Sequence, residues 1–271
     1  MSDAPDPQFL ATAIEAVMRA GDAQMARFGS AMRVEKKGAI DLVTEIDLAI
    51  EREFRDMIAA RFPDHDVLGE EFGAAADGHG APRFCWVFDP IDGTNNYAHG
   101  LPIFCSSLAL EIDGRGEIGA IYDPTRKELF VGERGAGAFL NGRPIHVSKA
   151  AALVESMLVT GFPYDIHKRI PEIVGLFGEF VGRARAVRRL GSAALDLCYV
   201  AAGRMDGFWE QDLKPWDIAA GTIIVEEAGG RVTDFAGEPS SSRRHQLLAT
   251  NGQIHDEMLK VTEDFLRSRM T

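Results

Sequence analysis

The chain has 271 residues, 46% of them hydrophobic, which is enough apolar side chain to bury a core without a disulfide or metal staple. Its 41 Asp and Glu outnumber 29 Lys and Arg, a formal net charge of −12 that repels nucleic acid and anionic membranes and favours a small ligand. An acidic chain that takes an anionic ligand must neutralise its own carboxylates locally, and divalent cations do so directly.

Phe9, Leu10, Ala13, Ile14, Val17 and Met18 recur at helical spacing and predict an opening helix over 9–28, stopped by Gly29. A second helix is expected from Thr44, a capping residue with Asp47 in the first turn, through Ile50, Phe54, Met57 and Ile58 to Pro63. Short apolar runs at 67–68, 84–88, 104–112, 118–122 and 129–131 are punctuated by Asp113-Gly114, Asp123-Pro124 and Asn141-Gly142, the pattern of a mostly antiparallel sheet. The Gly-rich 132–137 lacks G-x-G-x-x-G and reads as strand turns; 73–83 and 236–245 read as loops. Beyond residue 150, strands at 153–160, 184–187 and 207–209 alternate with helices at 170–180, 192–202 and 216–228. Strands at 231–233 and 246–249 and a helix over 254–266 follow. Two α/β halves, 1–150 and 151–271, are expected to share one cleft as one functional unit.

No stretch reaches the roughly 18–20 apolar residues of a membrane span, and the first residues lack a signal-peptide pattern. Cys85, Cys105 and Cys198 are odd in number, with neither C-x-x-C nor zinc spacing, so reduced core cysteines and a cytoplasmic location are expected.

The segment Trp86-Val87-Phe88-Asp89-Pro90-Ile91-Asp92-Gly93-Thr94-Asn95-Asn96-Tyr97 carries the strongest chemical signal. An apolar run of this kind fills a buried strand, so Asp89 emerges where an uncompensated carboxylate is costly. Pro90 forces a turn in which Asp89, the Ile91 carbonyl and Asp92 could face one point, an oxygen-only donor set that suits Mg²⁺. Gly93 and Thr94 could present backbone N–H groups to a phosphate at a helix start. Gly69-Glu70-Glu71 places adjacent acids after an apolar pair. Lys214-Pro215-Trp216-Asp217 has the form of a helix start, where an aspartate also serves as a plain cap. His99 reads as structural. Neither a G-x-S-x-G elbow nor a P-loop is present.

In order and spacing, Gly69-Glu70-Glu71, the 86–97 segment and Trp216-Asp217-Ile218-Ala219-Ala220-Gly221 resemble the inositol monophosphatase family. Asp41-Leu42-Val43-Thr44-Glu45-Ile46-Asp47, Gly191-Ser192-Ala193-Ala194, Glu210 and Glu226-Glu227-Ala228-Gly229-Gly230 extend the likeness over nearly the whole chain. The resemblance implies an α/β (α+β) fold, a layered α/β/α/β/α sandwich, in which Glu70, Asp89, Asp92, Asp217 and the Ile91 carbonyl hold two or three Mg²⁺ ions. It further implies that Thr94 and Asp47, assisted by Glu70, orient or deprotonate the attacking water. Asp92, Gly93, Thr94 and Asp217 would grip the substrate near its phosphate, and Gly191, Ala193 and Glu210 would line the polyol pocket. Homodimers and lithium sensitivity are implied in the same way, and Lys36-Lys37-Gly38 resembles the family's mobile catalytic loop.

The expected reaction is Mg²⁺-dependent hydrolysis of a small phosphate monoester, with myo-inositol 1-phosphate first. Fructose 1,6-bisphosphate, histidinol phosphate, nucleotide 3′-phosphates and NADP are substrates of related branches. A regulatory protein binding RNA or transcription machinery is the alternative of another class, with Arg183, Arg185, Arg188 and Arg189 as its basic cluster, although the net charge argues against it.

Overall fold

The computed structural model describes residues 6–30, 34–36, 42–74, 82–239 and 245–268. Lys37, Gly38 and Asp41 lie outside the described residues, as do 75–81 and 240–244 of the two expected loops.

Helix α1 (Pro7–Arg27) starts at Asp6, whose side chain accepts from the Gln8 N–H, and buries Phe9, Ala13, Val17 and Ala20. Strands β1 (Val34–Lys36) and β2 (Leu42–Thr44) form a separate antiparallel pair, and α2 (Glu45–Arg61) follows at once. Next come β3 (Asp66–Gly69), β4 (Gly73–Ala74), β5 (Phe84–Asp92), the one-turn helix α3 (Thr94–Ala98) and β6 (Cys105–Ile112). Then β7 (Arg115–Asp123), β8 (Glu128–Glu133), β9 (Gly137–Leu140) and β10 (Arg143–Pro144) complete an eight-stranded sheet in the order β10-β9-β8-β7-β6-β5-β3-β4. Only its β3–β5 contact is parallel.

The rest of the chain gives β11 (Met157–Thr160), α4 (Ile170–Val181), β12 (Ala186–Arg188), α5 (Ala193–Ala201) and β13 (Gly207–Gln211). It ends with α6 (Pro215–Glu227), β14 (Arg231–Thr233), β15 (Gln246–Thr250) and α7 (His255–Ser268). The second sheet runs β12-β11-β13-β15-β14 and is parallel only on either side of β11.

Side-chain alternation along β5 explains the stacking. Trp86 and Phe88 meet Phe9, Val17, Phe54 and Ile58 of α1 and α2 on one face. Cys85 and Val87 meet Leu197, Ile223 and Ile224 of α5 and α6 on the other, so a strand buried on both faces reads as one unbroken apolar run. The far side of α5 and α6 packs on Phe208, Leu247 and Ala249 of the second sheet, whose outer face is closed by Leu176 and Phe180 of α4 and Met258 and Val261 of α7. The result is the layered α/β/α/β/α sandwich.

The long helices and central strands lie where the sequence places them. The expected strand at 153–160 is shorter, because Leu153–Glu155 form a 3-10 turn closed by Ser156, whose hydroxyl donates to the Ala152 carbonyl at 2.9 Å. The strand expected at 184–187 is β12, displaced toward the C-terminus. The residues of β1, β2, β4, β9 and β10 were not predicted as strands, because segments of two to four residues are too short to show a period, whereas α3 begins where Gly93 and Thr94 suggested a helix start.

Candidate active site

The metal turn is built at the end of β5. Between Asp89 and Asp92 the pairing with β6 shifts, Asp89 opposing Ser107 and Asp92 opposing Cys105, so Pro90 and Ile91 face a single residue of the partner strand. Such a bulge bends the strand and re-aims its side chains. Three hydrogen bonds fix the turn. Asp89 Oδ1 accepts from the Ile91 N–H at 2.9 Å, Gln24 Nε2 of α1 donates to the Pro90 carbonyl at 2.7 Å, and the Thr94 hydroxyl donates to the Ile91 carbonyl at 2.8 Å. Tyr97 in turn donates to the Gln24 carbonyl at 2.8 Å. Thr94 therefore commits its one proton to the carbonyl named above as a cation donor, while its oxygen remains an acceptor.

Other elements bring further acids. Asp47 is fully buried on α2. Glu70 follows β3 in a turn pinned by Glu51, a fully buried α2 carboxylate that accepts from Arg55 Nε and Nη2 at 2.9 and 2.8 Å and from the Glu71 and Phe72 N–H groups at 2.7 and 3.2 Å. Asp217 stands in the first turn of α6, where its Oδ2 accepts from the Lys214 N–H at 2.7 Å, so the plain capping role is also real.

Charge crowding follows. Burial first, then the neighbouring Glu70, Asp92, Asp217 and Asp47, push the Asp89 carboxyl well above the usual carboxylate range. Burial and Asp92 do the same to Asp217. Asp92 is raised by burial, but the Ser192 hydroxyl and the Ala194 and Ala193 N–H groups hold part of its charge. Crowded, desolvated carboxylates of this kind favour a positive countercharge, and a divalent cation fits that need. Among the described residues no three His, Cys, Asp or Glu side chains already converge on one point.

Asp92, Gly93, Thr94, Gly191, Ala193, Glu210 and Asp217 line one cleft of about 100 Å³, whereas Asp47, Glu70, Asp89 and Ile91 do not line it. Gly93 caps α3 with φ +96°, a conformation only glycine adopts readily, and a Cβ there would sit 2.9 Å from the Ile103 carbonyl. Asn96 Nδ2 donates to the Ile103 and Leu190 carbonyls at 2.8 and 2.9 Å and so fastens this turn to the Gly191 loop. Glu210, on β13, forms part of the opposite wall; its carboxylate lies against Gly161, where any Cβ would overlap it. Burial pushes Glu210 up to about 8, with Arg189 opposing that rise and Asp92 adding to it.

Residues 6–266 match the model of the inositol monophosphatase family. The chain belongs to the inositol monophosphatase family. It is therefore a phosphatase, a phosphoric monoester hydrolase. It is 44% identical to an inositol-1-monophosphatase of Synechocystis sp. over 92% of this chain and 87% of that one. It is 41% identical to the Nus factor SuhB of Pseudomonas aeruginosa over 86% of this chain and 87% of that one. The solved inositol monophosphatase of Anabaena (Nostoc) sp. superposes with a TM-score of 0.85 at 41% identity, covering 95% of this chain and 96% of that one.

Within this family fold the structure adds residues that sequence reasoning missed. Gln24 and Glu51 brace the two acidic turns from α1 and α2, and Ser192 holds Asp92. Asp196 and Gln211, both buried, line the cleft with side-chain oxygens that have no hydrogen-bond partner among the described residues. Arg189, read above as part of a basic patch, lines the cleft too, its guanidinium 5.8 Å from the centre of the Phe162 ring. Arg183 is instead ion-paired with Glu179 at 2.5 Å, so these two arginines belong to different surfaces. A burial signal for Asp196 existed in the apolar run around it, Leu195, Leu197 and Cys198.

Proposed function

We propose that this enzyme hydrolyses the phosphate monoester of a small polyol, myo-inositol 1-phosphate first, with Mg²⁺ as its cofactor in two or three sites. The crowding of Asp89 by Glu70, Asp92, Asp217 and Asp47 beside a cleft with a Gly93 N-terminal turn carries the reading. Glu70, Asp89, Asp92, Asp217 and the Ile91 carbonyl would hold the cation. When bound, Mg²⁺ would lower the pKa of water and neutralise phosphate charge. Gly93 and Thr94 present N–H groups free of intrahelical partners to the phosphate. Thr94 and Asp47 orient the attacking water, with Glu70 assisting. Gly191, Ala193 and Glu210 meet the alcohol's hydroxyls.

Acids from both 1–150 and 151–271 contribute, which supports one functional unit. The described residues include no helix long and apolar enough to cross a membrane, and the three buried thiols favour a reducing compartment such as the cytoplasm. Homodimer assembly is supported by an apolar stripe on α4, where Ile170, Val174 and Val181 are 52%, 48% and 51% exposed. Lithium sensitivity belongs to the same proposal.

The test is phosphate release from a panel holding inositol 1-phosphate, fructose 1,6-bisphosphate, histidinol phosphate, a nucleotide 3′-phosphate and NADP, each with Mg²⁺ and with excess chelator. Turnover of inositol 1-phosphate should lead the panel and vanish with chelator. Full turnover in chelator removes the metal mechanism, and preference for another substrate reassigns the branch.

A further inference from the structure

Asp92 differs from the other acids of the metal turn because its carboxylate is already met by donors from the far end of the chain. Its Oδ2 accepts from the Ser192 hydroxyl at 2.6 Å and from the Ala194 N–H at 2.7 Å. The Cys105 thiol stands 3.9 Å from the same oxygen and 3.6 Å from Ser192 Oγ, closing a buried triangle behind it. Ser192 is also the N-cap of α5, where its Oγ accepts from the Leu195 N–H at 3.4 Å. The hydroxyl proton is thus committed to Asp92 and a lone pair to the helix. Ser192, Cys105 and Ala194 are buried, so no water competes for these bonds.

A carboxylate oxygen that takes two short donors has little capacity left for a cation, while the other oxygen keeps its own. We propose that Ser192, with the first turn of α5, is a positioning residue that fixes the orientation of the Asp92 carboxylate and so sets the cation affinity of the metal turn. The inference rests on the Mg²⁺ reading above. Mg²⁺ demands near-ideal octahedral geometry, and a carboxylate freed to rotate or to chelate through both oxygens meets that demand poorly. Because the donors sit on α5 and the acid on β5, packing of the middle helix layer against the first sheet is coupled to occupancy of the site.

Calorimetric titration of Mg²⁺ into the whole protein tests this without reference to turnover. Ser192→Ala and Ser192→Gly should bind Mg²⁺ about 10- to 100-fold more weakly, the usual loss when a partner behind a metal ligand is removed. Glycine is a tolerable N-cap, so it removes the hydroxyl while sparing the helix, and Ser192→Thr, which keeps the hydroxyl, should recover affinity to within about threefold of wild type. A role confined to helix capping would instead lower the melting temperature and leave Mg²⁺ affinity alone. Folded Ala and Gly variants that bind Mg²⁺ as wild type does overturn the inference and leave the metal reading standing. A wild type that takes up no Mg²⁺ overturns both.

Discussion

At neutral pH an ordinary glutamate is ionised, but Glu210 sits where burial pushes its carboxyl up to about 8. The folded state therefore binds a proton that the unfolded chain, with a pKa of about 4.3, has already released at pH 7. The sign follows: this group takes stability away as pH rises from about 4 toward 8, and the loss is complete above 8. For catalysis the consequence concerns specificity. A neutral Glu210 can both donate to and accept from a substrate hydroxyl, much as glutamine can, whereas the ionised form offers the stronger charge-assisted acceptor, worth roughly 1.5–3 kcal/mol against about 1 for a neutral bond. Glu210→Gln should thus change kcat/KM for a polyol phosphate by less than about threefold at pH 7 and lower it about tenfold at pH 9. A nitrophenyl phosphate, lacking the hydroxyls, should be hydrolysed as before. A loss that is the same at both pH values, or that strikes both substrates, would place Glu210 in the metal shell.

Single elements are held by acids that do no chemistry. Glu51 gathers Arg55 and the two N–H groups after Glu70 into one buried knot linking α2 to the end of β3. Glu226 and Glu227, at the end of α6, play a similar part: Glu226 pairs with Arg134 at 2.6 Å, and Glu227 accepts from the Gly137 N–H at 3.0 Å, tying α6 to the β8–β9 turn. Glu51→Gln keeps the volume but exchanges a charged acceptor for a neutral one and leaves donors unsatisfied, a cost of about 1–3 kcal/mol. A melting temperature lower by roughly 3–10 °C is expected by circular dichroism, with half-maximal turnover moved to higher Mg²⁺ because Glu70 loses its brace. Unchanged melting would mean that the knot contributes nothing net.

On the scale of the whole molecule, the cleft joins the first sheet, which supplies Asp92 at its wall and Asp89 behind it, to α6, which supplies Asp217. A cation held by the proposed ligands would act as a clamp between layers. At about 100 times its Kd, Mg²⁺ should stabilise the protein by about 2.7 kcal/mol and raise the melting temperature by roughly 5–10 °C. Without Mg²⁺, Asp89→Asn should melt above wild type. The Asp89 carboxyl is raised above its unfolded value, so the wild-type penalty is absent near pH 4 and grows as pH rises, and the variant's advantage should grow with it. The variant should also lose the Mg²⁺ increment. Equal melting of the two proteins at pH 8 in chelator would rule out charge crowding at this residue.

The sequence alone determined the long elements, because helical spacing in residues 9–28 and the unbroken apolar run 84–88 record which faces are buried. It also marked the turn Asp89-Pro90-Ile91-Asp92-Gly93, since proline, glycine and paired acids leave few local conformations, and that cluster together with the Trp216-Asp217 start carried the family resemblance. What it left open lies between distant residues. Gln24 against Pro90, Glu51 beneath Glu70, Arg189 in one cleft with Thr94, and Ser192 upon Asp92 are pairs 19 to 100 positions apart, formed by stacking of layers rather than by any local pattern. Periodicity reports only that a face is buried, not what it is buried against. Whether an acid is a ligand, a cap or a brace was decided by the partners and the desolvation that tertiary packing brings to its oxygens.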